Sequence, residues 1–477
     1  MGQELGQVTV GLFSIGLDVY WSQFEGLKER LQQYNKSVAA RLARSGARVL
    51  NLGLIDTLEV AVAAGHQFRQ GDVDLIFLHA ATYALSSTVL PVIRRAKVPV
   101  IILNLAPGPA IDYVAFNQMR DRRQMTGEWL AWCGACPVPE IANVFRRCAI
   151  PFHQVTGTLE DELAWREIHE WVQAAAAAYT MEHNRLGLMG HYYGGMLDIY
   201  SDLTQHYATF GGHIEMIEVD ELAALCDSVT HPEIDQRIAY FFEAFDVQPD
   251  CGHAELERAA ITSVALDRLV EKHGLGSMAY YYKGTGNEAN EDVISSIILG
   301  NSLLTARGIP IAGEYEVKNV QAMKIMDSFG AGGSFSEYYA TDFNDDVVLW
   351  GHDGPGHLAI AEGKAKVKPL RVYHGKFGRG LSVEMSVRNG PVTFLSVVDS
   401  GSGRLKLLIA EGDSVPGPIL EIGNTNSRYR FQIGARRFIN EWNAQGPAHH
   451  CAIGVGHIAE KLKKFGALLG LEAIQIC

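Results

Sequence analysis

The first third of the chain alternates continuous apolar runs with amphipathic stretches. VTVGLFSI, ARVLNLGLI, VDLIFLHA and VPVIILNL are each bounded by turn-forming or charged residues. Runs of this length without polar alternation suit parallel strands covered on both faces. Between them, FEGLKERLQQYNKSVAARLARSG and SSTVLPVIRRAK read as helices. This βαβα order predicts an open parallel sheet, and ligand groups in such sheets gather beyond the carboxyl ends of the strands. The segment from Gly16 to Trp21 and the segment LNLAPGPAIDY are therefore expected pocket walls.

A helical stretch, LEDELAWREIHEWVQAAAAAYTMEH, leads to a second α/β region that opens with RLGLMGHYYGGMLD. It continues through a polar helical stretch from Ile234 to Lys272 and the strand SMAYYYKG, and ends in GIPIAGEYE, which places Glu314 where a strand runs out. After residue 330 the pattern changes to period-2 alternation and Gly-rich turns. LSVEMSVRNGPVTFLSVVDSGSGRLKLLIAEGD carries an Asn389-Gly390 turn and a second turn near Gly401–Gly403, which predicts antiparallel hairpins. The helix HIAEKLKKFGALLGL is expected to close the chain. The predicted fold class is α/β: an open parallel-sheet, Rossmann-like domain over 1–180, a second such domain over 181–325, and an antiparallel β-barrel-like domain with a final helix over 326–477.

Composition narrows the functional classes. The 477 residues are 47% hydrophobic and 20% charged, ordinary values for a globular protein. The net charge of −13, with no run of like charges, disfavours a nucleic-acid partner. No apolar run reaches the roughly 18 residues of a membrane span. VTVGLFSIGL lacks a basic leader and a cleavage site and reads as a first strand, so a cytoplasmic protein with no membrane partner is expected. Seven cysteines are too few for a disulfide framework. Cys133 and Cys136 in AWCGACPVP admit a redox or zinc reading, and two reduced thiols at a turn is the expectation adopted. GAGGSF near Gly330 and HGKFGRG near Gly375 fit neither a phosphate-binding nor a dinucleotide fingerprint and read as turns.

The chemistry concentrates in the last third. Glu314, Glu337, His352 and His450 offer two carboxylates and two imidazoles, a donor set that suits Mn²⁺ and similar divalent cations. They lie 23, 15 and 98 residues apart, so only the fold can gather them. Their contexts resemble the L-arabinose isomerases, within the arabinose/fucose isomerase group. AGEYEVKNVQAMKIM is similar to the segment that holds that family's first metal-binding, catalytic glutamate, which falls on Glu314. GGSFSEYY resembles Gly-Gly-Thr-Ser-Phe-Met-Glu-Asp-Tyr and places the second glutamate on Glu337. VVLWGHDG resembles the strand ending in Gly-Ser-His, and GPAHHCA resembles Gly-Gly-Ala-His-His, giving His352 and His450 as ligands.

The resemblance fails in the sugar-reading groups. Where the family has Gly-Ser-Gln-His-Leu-Tyr-Gly, this chain has GLDVYWSQ, with Asp18 in place of a glutamine and Trp21 in place of a tyrosine. NQMRD replaces Asn-Gln-Thr-Ala-His, so Asp121 stands where a histidine is expected. AYYYKG loses an aromatic at Gly284, whereas GGMLDIYSD keeps the pocket methionine as Met196.

The resemblance implies an aldose–ketose isomerase acting through an enediol(ate), with Glu314 and Glu337 as both ligands and proton carriers. The altered pocket implies a sugar other than L-arabinose. Asp18, Tyr20, Trp21, Asp121, Met196 and His449 are the expected substrate contacts. His449 is assigned to substrate because neighbours on a strand point to opposite faces. Glu316 and Lys318 either orient the ligands or form a solvated helix-surface pair, and His357 and His374 are read as structural. A homo-oligomer, a hexamer in that family, is implied as well. A metal-dependent hydrolase or lyase on a sugar derivative and a non-catalytic sugar binder are the competing readings.

Overall fold

The structure is a computed structural model that describes residues 8–283, 286–370 and 379–477. Gly284 and His374 lie outside the described residues. The chain divides into two compact units, with the boundary between Tyr179 and Thr180.

In the N-terminal unit, β1 (Thr9–Ile15), β2 (Arg48–Ile55), β3 (Leu75–His79), β4 (Val100–Ala106) and β5 (Phe152–Thr158) form a parallel sheet in the order β2-β1-β3-β4-β5. The central strands β1 and β3 are buried at every residue, as their unbroken apolar runs require. β2 is only partly buried because it lies at the sheet edge. The two expected helices span Leu27–Ala43 and Ser86–Ala96. Cys133 and Cys136 are joined by a disulfide, which corrects the expectation of two reduced thiols. Their Cα atoms are 5.5 Å apart, within bridging range.

The C-terminal unit begins with β6 (Arg185–Gly190), β7 (His213–Ile217), β8 (Asp246–Val247), β9 (Ser277–Tyr281) and β10 (Ile311–Ala312). Strands β10-β9-β6-β7 form a second parallel sheet. The expected polar helical stretch from Ile234 to Lys272 holds two helices, His231–Ala244 and His253–His273, separated where the chain extends at β8 to pair with a later strand.

Beyond β10 come β11 (Ser334–Asp342), β12 (Val347–His352), β13 (Lys366–Pro369), β14 (Leu381–Glu384), β15 (Gly390–Asp399), β16 (Leu405–Val415), β17 (Thr425–Arg430), β18 (His450–Val455) and β19 (Glu472–Gln475). Seven of them form a large mixed sheet in the order β15-β18-β11-β12-β17-β16-β19. β15 also pairs with β16, so the first six strands make a closed circuit of antiparallel pairings. The turn near Gly401–Gly403 joins a hairpin as expected. The Asn389-Gly390 turn does not, because β14 takes β13 as its partner instead of β15. The last helix, Ala459–Leu469, does not close the chain either, since β19 follows it and pairs with β16. An aromatic cluster around the fully buried Phe394, which includes Trp350, Tyr429, Phe431, Phe438 and Trp442, fills the core behind β12. Among the described residues, no helix is long and apolar enough to cross a membrane.

Gly351, beside His352 on β12, sits where β12 and β17 approach closely. A Cβ there would lie 1.9 Å from the carbonyl oxygen of Thr425. Backbone cannot yield as a flexible side chain can, so Gly351→Ala should destabilise the protein by about 3 kcal/mol. Urea unfolding compared with the wild type measures this, and an unchanged midpoint would show that the strands move apart freely.

Candidate metal-binding site

The site is assembled where β10 and β12 end, β18 begins and β11 passes between β18 and β12. β10 is only two residues long, and Gly313 leads to Glu314 and Tyr315, both in left-handed backbone with φ of 59° and 61°. Residues with a Cβ rarely adopt this region. Here the turn is held by Tyr315 N–H donating to the Tyr280 carbonyl at 3.0 Å and by Glu316 N–H donating to Gly313 at 3.0 Å. Glu316 then caps the helix Val317–Ser328 by accepting from Lys318 N–H at 3.2 Å.

On the sheet, Glu337 of β11 lies directly opposite His450, the first residue of β18. Directly opposed residues of an antiparallel pair project on the same face. His352 ends β12, the other neighbour of β11. Phe335 lies against both histidines, with ring centroids 4.3 Å from His352 and 4.4 Å from His450, and the two imidazoles are 5.1 Å apart. All four residues selected from the sequence therefore meet. One donor atom each from Glu337, His352 and His450 lie within 4.8 Å of one another, and the same holds for Glu314, His449 and His450.

Two donor atoms at the centre lack any hydrogen-bond partner although they are buried: Glu314 Oε2 and His450 Nε2, 3.4 Å apart. Leaving buried polar atoms unpaired is costly, and a shared cation would satisfy both. The far side of each histidine fixes its ring. His450 Nδ1 faces Glu316 Oε2 at 3.5 Å, and His352 Nδ1 faces the Asp353 carbonyl at 2.5 Å and its carboxylate at 3.2 Å. Protonated at Nδ1 and free of a proton at Nε2, each ring would direct a lone pair inward, the tautomer a metal-ligating histidine needs. Glu316 is fully buried, so the reading as a solvated surface pair does not hold, and Lys318 is buried as well.

Burial governs the electrostatics. It raises the Glu316 carboxyl to about 7 against the lowering pull of Lys318 and His449. It raises Glu337 as well, opposed by His352 and His449, and pushes His450 far down, so that imidazole is neutral. Burial also opposes a charge on His352, but Asp353, Glu337 and Glu314 together bring it to about 9. His449 behaves similarly: burial is outweighed by Glu314 and Asp198, and its value rises to about 9.

His449 precedes the first residue of β18, so the alternation expected of adjacent strand residues does not apply. Its ring lies against His450 with centroids 3.8 Å apart and planes tilted by 40°, and its Nε2 lies 3.7 Å from Glu314 and 3.9 Å from Glu337. Asp198 accepts both from the His449 backbone N–H at 3.0 Å and from its ring Nδ1 at 2.6 Å. The Asp198 carbonyl in turn accepts from Lys318 Nζ. Met196 lies two residues before Asp198 and is half-buried. Sequence reasoning missed Asp198, Asp353 and Phe335 as site residues. Only their presence inside the quoted motifs could have flagged them.

Asp18, Tyr20, Trp21 and Asp121 belong to the N-terminal unit. Trp21 and Asp121 line a cleft of about 710 Å³ there, together with Arg30, Arg123 and Glu128, whereas Asp18 and Tyr20 do not. Each has local duties. Trp21 Nε1–H donates to Asp56 at 2.8 Å, Asp121 caps the helix Arg122–Leu130 through Arg123 N–H, Asp18 bonds to Val19 N–H, and Tyr20 packs on Phe24. His357 is buried and kept neutral near 4 by burial.

Comparison with known proteins matches residues 332–472 to the L-arabinose isomerase C-terminal domain. L-arabinose isomerase 1 of Bacillus licheniformis is 23% identical over 343 residues, which cover 71% of this chain and 69% of that protein. L-arabinose isomerases of Acidothermus cellulolyticus and Bacillus subtilis are each 23% identical, over 350 and 352 residues, with the same two shares. A solved carbohydrate transporter from Acidothermus cellulolyticus 11B, in complex with myo-inositol, aligns with 68% of this chain and 99% of its own. Its identity is 12% and its TM-score of 0.17 carries no argument about fold.

The charge on His449 is favoured more in the folded chain than in the unfolded one. Its stabilising contribution is therefore complete below about pH 6.5 and fades as the pH rises toward about 9. Asp198→Asn should lower the His449 midpoint and weaken this dependence, with Glu314 still holding part of it. Histidine NMR titration of the metal-free protein, with unfolding followed from pH 6 to 10, checks both.

Proposed function

We propose that this chain, an L-arabinose isomerase-like protein, is a divalent-metal aldose–ketose isomerase acting on a sugar other than L-arabinose. The observation that carries the reading is the pair of unpartnered buried donors, Glu314 Oε2 and His450 Nε2, facing each other amid the other ligand-type side chains. Glu314, Glu337, His352 and His450 would hold the cation, for which Mn²⁺ is the choice, and when bound it supplies Lewis-acid polarisation of the substrate's oxygens.

The chain's own groups do the proton work. Interconversion of an aldose and a ketose moves a proton between C2 and C1 and adjusts protons on the two oxygens. Glu314 and Glu337 are the two carboxyl groups available, one removing a carbon-bound proton and the other serving the oxygens, with exchanged roles in reverse. His449, held by Asp198, presents Nε2 to both carboxylates and so can orient them or carry a proton between them. Glu316 and Asp353 hold the rings of His450 and His352 in register. The change of sugar rests on Asp18, Trp21 and Asp121, which replace three sugar-contacting residues of the family that the sequence resembles.

The test is isomerisation of a panel of pentoses, hexoses and deoxy sugars by protein stripped with chelator and reloaded with Mn²⁺. Ketose should form, and Glu314→Gln or Glu337→Gln should each lower the rate by roughly 10²–10⁴ while leaving the fold intact. Stoichiometric metal loading without any ketose would overturn the reading; release of fragments would point to hydrolysis or cleavage instead. Glu316→Gln should weaken metal binding by about 10–100-fold in calorimetry, because it removes the charge that orients His450.

A further inference from the structure

The Cys133–Cys136 disulfide lies in the N-terminal unit and has no part in the isomerase reading. Its two sulfurs differ in access: Cys133 is 3% exposed, whereas Cys136 is on the surface. Cys136 immediately precedes Pro137, the cap of the ten-residue helix Val138–Arg147. A helix start favours a thiolate over a thiol. The acidic residue of that first turn, Glu140, is occupied by Ser86 N–H at 2.9 Å and the Tyr83 hydroxyl at 3.3 Å.

The intervening Gly134 is packed so tightly that a Cβ would lie 2.3 Å from the Ala80 carbonyl oxygen. The two cysteines are thus held in place by backbone contact as well as by their own bond. Upstream, the Thr82 hydroxyl donates to the Leu130 carbonyl at 2.7 Å, and Trp132 Nε1–H donates to Glu128, which pairs with Arg30 in the cleft wall. The bridge therefore sits at the end of the helix Arg122–Leu130 that forms one side of that cleft.

We propose that Cys133–Cys136 is a reversible thiol–disulfide exchange site that takes an external dithiol as its reductant and is attacked at Cys136. The thiolate of the dithiol attacks Cys136 Sγ. The Cys133–Cys136 bond breaks and its electron pair leaves on Cys133 Sγ, which takes a proton. The second thiol of the reductant, as its thiolate, then attacks the reductant's own sulfur in the mixed disulfide and expels Cys136 as a thiolate. With Cys136 left as the thiolate, the protein gains two electrons and one proton, the dithiol's other proton passes to solvent, and the reductant becomes a cyclic disulfide. The opposite direction restores the bridge.

The full chain is equilibrated in reduced and oxidised dithiothreitol at graded ratios, in native buffer. Free thiols are then trapped with N-ethylmaleimide, and the peptide that carries 133–136 is weighed. The expected result is a reversible change from no label to two labels on this pair, with circular dichroism unchanged. A pair that stays labelled at every ratio, or that is released only in denaturant, would overturn the proposal. The single variants locate the attacked sulfur. With oxidised glutathione, Cys133→Ser should form its mixed disulfide at Cys136 roughly tenfold or more faster than Cys136→Ser does at Cys133. Equal rates would overturn the assignment of Cys136. Cys133→Ala provides the same readout if serine is not tolerated at the buried position.

Discussion

Two consecutive residues with side chains, Glu314 and Tyr315, hold left-handed backbone, and the candidate site depends on that turn. It stops a two-residue strand, aims one carboxylate at His450, and delivers the next, Glu316, to the start of a buried helix. A conformation this sparsely populated persists only where the surroundings over-determine it. The hydrogen bond from Tyr315 to Tyr280 and the capping of Lys318 by Glu316 supply that constraint. The carboxylates of Glu314 and Glu316 then flank His450, one toward Nε2 and the other toward Nδ1.

Much of this was legible in the chain. The four strands quoted from the first third carry enough contiguous apolar residues to mark themselves, and the helices between them carry a clear period. The two-residue strand β8 could not be read, since pairing with β13, and not local composition, makes it a strand, whereas β10 was legible as the strand that runs out before Glu314. The Asn-Gly turn misled for a related reason. Its local chemistry favours a hairpin, but β14 finds its partner on the other side. Glu314, Glu337, His352 and His450 were found through motif context, because residues far apart in sequence show no spacing signal. Asp198, 251 positions from the histidine it holds, lies inside GGMLDIYSD, but nothing in that motif pointed to His449.

The donor groups and the residues that depart from the resembled pattern sit on different kinds of backbone. The donor groups rest on β11, on the facing ends of β12 and β18 and on the turn after β10, positions set by backbone pairing and hydrogen bonds. The residues that depart from the family pattern lie at helix ends, Asp18 and Trp21 at the start and C-cap of the single 3-10 turn Asp18–Tyr20 and Asp121 at a helix N-cap, where a side chain changes without disturbing a ladder. Loops on a rigid scaffold are where recognition changes most easily.

The direct opposition of Glu337 and His450 across β11 and β18 has a consequence for how such a centre can evolve. Side chains alternate along a strand, so a slip of a single residue would carry Glu337 to the far face and separate the two donors completely. No graded intermediate exists between a gathered and a scattered centre. An insertion or deletion between Ser334 and Glu337 would therefore scatter the donors at once, whereas beyond Glu337 the strand already takes up a register shift between Tyr338 and Ala340. Descendants of such a chain would be expected to vary in what they recognise long before they vary in the reaction they perform.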